Sequence, residues 1–350
     1  MSTFTFFENG DTVDSIDRVY TSAWSDNTND LATLGFYSSS TQYNTTSATS
    51  SGAFYMDIYH KDPDNYTDAE VQFSIAYGHK KGSGSFDFTN ETGGYGFSAA
   101  RAVYSQYRTL VFGGDETQNF SFDGHEADAI YVINVNRARY KNALRVGNID
   151  LSLSGSGGLI VLTDDSRTTS GSANAIRAGV GREFNLVSGS AGIRLGTSNT
   201  YVTNSGSYGY VYPDAGFIIL NADALDAVGS DYGINLGTGR NPNTNDQNPV
   251  KLQNALIEGN EFVLDGQEDI SSKFYFIRAK NTEFNYTTND SFTEDDGTLK
   301  FDSMIDNPET YITTVGLYND NQELLAVAKM SRPLPKDFTK EALIKVKLDY

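Results

Sequence analysis

Three histidines, His60, His79 and His125, are the only imidazoles in this chain of 350 residues. None lies at a metal-binding spacing from a second histidine or a glutamate. Each is expected in a loop or at the surface, because one lone ligand does not define a metal site. Asp62, Asp64, Asp68 and Glu70 offer carboxylates at nearly alternate positions, an arrangement that can hold calcium. Thr67 stands where the calcium loop of an EF-hand needs glycine, and Phe73 where it needs glutamate, so the stretch reads as a solvated turn, with a looser cation site as the alternative. Glu294, Asp295, Asp296 and Gly297 read as a turn first. The glycines Gly179 and Gly181 precede Arg182 with no following Gly-Lys-Ser/Thr, so they form no phosphate loop. No Gly-x-Ser-x-Gly follows a strand and opens a helix. A glycosidase needs two carboxylates at a set separation, and 45 acidic residues single out no pair. No catalytic residue, cofactor or metal is expected. Without cysteine, disulfides, thiolate chemistry and Cys-bound zinc are excluded.

The polar feature that stands out is basic. Arg137, Arg139 and Lys141 form an island in a chain of net charge −19. They are expected either to pair with local acids or to dock an acidic neighbour. The overall charge argues against nucleic acid and anionic membrane as partners, since both would be repelled. No run of 18 apolar residues exists, so no membrane insertion is expected, and the first residues lack the basic start and apolar core of a signal peptide.

The elements that would position these groups are mostly strands. Glycine is abundant at 33, proline scarce at 7, and 22 tyrosines and 21 phenylalanines carry much of the apolar mass. Long Ser/Thr/Asn/Gly stretches separate short apolar runs, the texture of an all-β protein with long loops. The expected fold is mainly β, with β-sandwich-like domains, long loops and few short helices. Residues 1–50 are polar and weakly patterned and are read as an extended arm, whose Phe4, Phe6 and Phe7 would dock on a neighbour, with a disordered tail as the alternative. Residues 51–165 form a β-rich domain with one helix. Strands are expected at 53–59 and 70–77, a helix at 98–112 closed by Gly113-Gly114, and strands at 129–135, 148–153 and 159–162, the last short and buried. Residues 166–260 lose regularity and are read as a loop-rich insertion or middle domain, with one or two helical turns in 221–228 and a loop over 241–249.

Residues 261–350 are read as a C-terminal β domain and as the part around which the rest is arranged. Within it, two strand-forming runs flank the turn Asn319-Asp320-Asn321-Gln322, a β-hairpin pattern. A proline-marked corner at 331–335 is expected to lead to a last strand in which Ile344, Val346, Leu348 and Tyr350 alternate with polar residues, completing a three-strand unit.

The run Tyr311-Ile-Thr-Thr-Val-Gly-Leu-Tyr-Asn-Asp-Asn-Gln-Glu-Leu-Leu-Ala-Val-Ala-Lys329, with Ser331-Arg-Pro333 and Lys340-Glu-Ala-Leu-Ile-Lys-Val-Lys-Leu-Asp-Tyr350, resembles the C-terminal signature of virion structural proteins in large contractile-tailed phages, including those of marine cyanobacteria. Residues 98–108, 131–141 and 274–286 are similar to the same group, while 166–260 carry no likeness. The resemblance implies a non-enzymatic tail component, in the baseplate, assembled with other tail subunits and with further copies of itself. The resemblance further implies a protein made in the host cytoplasm that ends in the virion. The motif is architectural and carries over no functional residue. The candidate contact residues are Phe4, Phe6, Phe7, Arg137, Arg139, Lys141, Tyr318, Arg332 and Tyr350. The alternatives are a receptor- or carbohydrate-binding β-sandwich of a tail fibre, a neck or head–tail connector component, and a tail-associated glycan hydrolase.

Overall fold

The computed structural model describes residues 4–25, 37–39, 55–84, 99–114, 117–195, 202–203, 206–228, 232–237, 247–286 and 291–350. The molecule is mainly β, with few short helices. Its principal strands are β1 (Thr12–Ser22), β2 (Tyr55–Tyr59), β3 (Val71–His79), β4 (Ala129–Val135), β5 (Asp150–Gly155), β6 (Gly158–Asp164), β7 (Gly181–Ser190), β8 (Gly209–Tyr212), β9 (Phe217–Asn221), β10 (Phe262–Val263), β11 (Asp265–Ala279), β12 (Thr310–Tyr318), β13 (Leu324–Lys336) and β14 (Ala342–Asp349). The principal helices are α1 (Ala99–Phe112), α2 (Ala222–Asp226) and α3 (Asn248–Gly259). The chain divides into two compact units, Val19–Glu268 and a smaller one made of Met1–Arg18 with Asp269–Tyr350, so the division falls within β1 and within β11.

The larger unit is built on an antiparallel sheet in the order β10-β5-β6-β7-β8-β9-β4-β3-β2. The apolar run of β4 is continuous because both faces of the strand are covered. Tyr131, Ile133 and Val135 enter one core, while Ile130 and Val132 enter another. The same division holds in β9, where Ile218 and Leu220 face one way and Phe217 and Ile219 the other. Val250, Leu252, Ala255 and Leu256 of α3 fill the first core, and Tyr104 and Val111 of α1 join the aromatic second core with Phe120 and Phe122. Helix α1 comes close to β3 at Gly78, where a Cβ would stand 2.9 Å from the Tyr104 backbone nitrogen. A larger residue there would push the helix off the sheet.

Residues 166–260, expected as loop-rich, contribute β7, β8 and β9 to this one sheet. Phe184 and Leu186 of β7 are fully buried beside the strand pairings Leu186↔Asp164 and Phe184↔Val211. The 241–249 loop also needs correction. Residues 241–246 lie outside the described residues, but Asn248 and Pro249 open α3, where the missing proline N–H is harmless. Asn260 ends that helix in the left-handed region (φ +57°) and returns its N–H to Leu256 O. Strand β6 is less buried than expected, with Leu159 exposed and Leu162 buried. The helix expected at 98–112 is α1, closed by Gly113 at φ +74°, and the turns expected in 221–228 are α2, capped by the Asn221 side chain. The expected strands 53–59 and 70–77 pair as β2 and β3.

In the smaller unit, β11 lies between β1 and β14. Residues 12–22, read as part of an unpatterned arm, are a strand held by cross-strand charges. Asp14 lies 3.5 Å from Lys273, Arg18 3.6 Å from Asp269, and Asp17 3.3 Å from Lys347. The last strand does not join the hairpin. It pairs with β11, setting Val346 opposite Tyr275 and Ile344 opposite Ile277, while β12 and β13 form a two-stranded ribbon of their own. Nor do Pro333 and Pro335 make a corner. β13 runs through both, on a ribbon edge and beside a register shift, where a missing N–H interrupts least. Both hydrophobic cores lie in the larger unit, so the sheet around β4, rather than the C-terminal hairpin, is the most deeply buried part of the molecule.

Candidate interaction surface

The ribbon has an apolar face that the described residues leave largely in solvent, covered only in part where Phe4 meets Tyr318. Its turn is preformed: Asn319 donates from Nδ2 to the Glu323 carboxylate (2.7 Å), Glu323 N–H donates to Asn319 Oδ1 (2.8 Å), and Gln322 adopts φ +66°. Polar turn residues tolerate that left-handed conformation. Beyond the turn, Leu325 is 68% and Val327 58% exposed, and Tyr318 and Leu324 are also exposed. Gly316 makes room for part of this face. A Cβ on it would stand 2.9 Å from the Tyr318 ring and 3.2 Å from Leu324, so both side chains lie over the glycine. Leu317, one residue away on the opposite side of the strand, is buried.

Of the candidate residues in the smaller unit, Phe4 and Tyr318 are brought together, edge to face with centroids 5.1 Å apart. Phe7 meets Tyr275 at 5.4 Å. The expected docking of these phenylalanines on a neighbour is therefore met in part within the chain, leaving Phe6, 82% exposed, as the free aromatic of this segment. Arg332 is exposed on β13. The Tyr350 ring is 76% exposed, while its N–H is tied to Ser271 O (2.9 Å). Next to it, Asp349 is held below the usual carboxylate range by the Ser272 hydroxyl and then by Lys347. Sequence reasoning missed Leu324, Leu325 and Val327. The signal was present in the Leu324-Leu325-x-Val327 run beside a polar turn.

The basic island belongs to the larger unit and forms one turn of 3-10 helix, capped by the Asn136 side chain on Ala138 N–H. Arg139 donates to Ser25 Oγ (2.6 Å) and stands 2.9 Å from the Glu70 carboxylate. The Ser25 hydroxyl, followed by the charge of Arg139, lowers the Glu70 pKa. Arg137 donates to its own neighbour Tyr140 O (2.6 Å) and lies over the Tyr140 ring. Lys141 is exposed. The island thus makes a local contact through Arg139 and leaves Lys141 outward.

A groove of about 600 Å³ lies beside α1, lined by Gln106, Leu110, Phe112, Ile176 and Arg177 among others. Arg177 is the one charged residue of that lining among the described residues. It is bound by the buried Glu183 carboxylate at 2.8 and 3.2 Å, which Asn174 and Tyr212 also satisfy. Among the described residues, no carboxylate pair lines this groove for acid–base work. Among the described residues, no group of three or more His, Asp or Glu side chains gathers to hold a metal ion. The carboxylate of Asp62 closes its own turn on Asp64 N–H (3.0 Å) and the Asn65 amide. Gly297 closes the 294–298 turn at φ +82°. His60 and His79 are buried and accept backbone N–H groups at Nδ1, from Glu70 and from Lys81 respectively.

No protein-family model, curated protein or solved structure matches this chain.

Proposed function

We propose that this chain is a non-enzymatic structural subunit of the virion of a large contractile-tailed phage, placed in the tail baseplate and acting through contacts with other tail subunits. The virion assignment rests on the resemblance of the sequence blocks at 98–108, 131–141, 274–286 and 311–350. The mode of action rests on one observation, the ribbon face of Tyr318, Leu324, Leu325 and Val327, which stands in solvent beside a preformed turn. Contiguous exposed apolar side chains on a rigid element mark protein–protein contact sites, and the cores of permanent interfaces are more apolar than ordinary surface. The only tryptophan, Trp24, is buried, with its indole N–H donating to Phe262 O (2.6 Å), so it offers no platform for a sugar ring.

The test is to produce particles in cells carrying Leu325→Asp with Val327→Asp. Both positions are exposed, so the variant folds with an unchanged unfolding midpoint. It is lost from purified virions in which the unaltered chain is found. Incorporation of the variant at the unaltered level overturns the reading.

A further inference from the structure

We propose that Lys336 and Asn285 condense into an intramolecular amide, Lys336 Nζ to Asn285 Cγ, with loss of ammonia, stapling the base of the β12–β13 ribbon to the segment that follows β11. The inference does not depend on where the chain is assembled.

The two groups already touch. Lys336 closes β13 opposite Thr310, and its Nζ lies 2.9 Å from Asn285 Oδ1. To reach Cγ it shifts by one C=O bond length, about 1.2 Å. Groups held at such separations react far faster than the same groups free in solution. The carboxamide is also held in place. Its Nδ2 donates to Asn281 O (2.6 Å), and Glu283 N–H donates to Lys280 O (3.0 Å). Phe284 is in the left-handed region (φ +54°), and its carbonyl accepts the Thr310 hydroxyl (2.6 Å). Segment and ribbon base are thus pinned together, with Asn285 and Lys336 both buried.

The surroundings favour the reaction. Lysine is almost never fully buried unless paired with a charge. Before the bond forms, the three acceptors of Nζ, Asn281 O, Asn285 Oδ1 and Asp337 O, are all uncharged. Burial lowers the Lys336 pKa, against the opposing charges of Asp337, Glu283 and Glu341, and a desolvated lysine that gives up its proton is a nucleophile. One ammonium proton passes to solvent and the neutral Nζ attacks Cγ. A second proton passes from Nζ to Nδ2 as the Cγ–Nδ2 bond breaks, and the departing ammonia takes a proton from solvent and leaves as ammonium. Atoms and charge balance with no further reactant, and a neutral amide replaces a buried charge, whose burial is costly.

The smaller unit has use for such a link. Both hydrophobic cores lie in the larger unit, and the chain has no cysteine to form a disulfide. A bond between 285 and 336 constrains the unfolded chain as a disulfide across the same span would.

Intact-mass spectrometry of the full chain tests this. The folded chain, held at neutral pH until its mass no longer changes, is expected to be lighter than its sequence by one ammonia. Trypsin then releases a branched peptide in which 281–300 is joined to 330–340, uncut after Lys336 because that side chain is now an amide. Lys336→Arg keeps a cation but cannot form the bond, and it carries its full sequence mass. Lys340→Arg, at the neighbouring exposed lysine, keeps the deficit. A folded, unaltered chain of full sequence mass overturns the inference, as does a deficit that persists in Lys336→Arg or a branch that joins other residues. Virion entry is measured separately, so any of these results leaves the proposed function standing.

Discussion

The Phe4 ring stands edge-on to Tyr318 with centroids 5.1 Å apart, although 314 positions separate them in the sequence. The contact ties the start of the chain to the tip of the ribbon, while Phe6 remains in solvent. Phe4→Ala is expected to destabilise the molecule by about 1 kcal/mol, the worth of an edge-to-face pair beyond its area. Phe6→Ala is expected to change stability by less than about 0.5 kcal/mol but to reduce entry into particles. Urea unfolding beside virion composition separates the two. Equal stability losses would contradict the assignment of Phe4 to an internal contact and Phe6 to an external one.

Glu183 is buried at 0% exposure and binds Arg177 through both oxygens, with Asn174 and Tyr212 completing its hydrogen bonds. Glu183→Gln removes the charge that Arg177 faces and disturbs the Tyr212 hydroxyl. The expected cost is about 2–3 kcal/mol, below that of a fully buried pair because the guanidinium reaches solvent. Denaturant titration checks it, and a neutral effect would show the cluster to be dispensable.

Burial pushes Tyr104, Tyr208 and Tyr210 from 10.0 up to about 12. A group whose folded pKa lies above its unfolded value contributes stability that is present below the unfolded pKa and lost as pH rises toward the folded one. Thermal midpoints should therefore fall between pH 10 and 12, with tyrosinate absorbance rising steeply as the chain unfolds. Gradual ionisation of these tyrosines near pH 10, with the fold intact, would contradict their burial.

Lys336 is fully buried, and its ammonium donates to Asn281 O (3.1 Å), Asn285 Oδ1 (2.9 Å) and Asp337 O (3.0 Å). Lys336→Met leaves three acceptors without their donor, for a loss of about 2 kcal/mol. Lys336→Arg restores charge but not the compact three-donor geometry and is expected to recover only part of the loss. Full recovery by arginine in chemical unfolding would show that charge alone matters there.

Local pattern made some elements legible and left their partners hidden. The alternation of Phe73, Ile75 and Tyr77 and the apolar run at 129–135 identify β3 and β4, because side-chain period and burial are local properties. That β14 pairs with β11 depends on Val346 meeting Tyr275 far along the chain, which no local period carries. Strand β1 escaped notice because Val13, Ile16, Val19 and Tyr20 do not alternate cleanly, and its register is set by ion pairs with β11 and β14. The strands within 166–260 were hidden by glycines and asparagines between brief apolar islands. On the candidate surface, Phe4, Phe6 and Tyr318 were legible as aromatics in polar surroundings. Leu324, Leu325 and Val327 carry only the pattern of ordinary strand residues, because exposure depends on what packs against a strand.

The central claim, that this chain works by being held against other subunits, is tested most directly by a side-chain-resolution map of the intact particle. The account predicts that the map contains this chain, with Tyr318, Leu324, Leu325 and Val327 covered by neighbouring subunits. A map without the chain, or one in which that face of the ribbon looks into solvent, would contradict it.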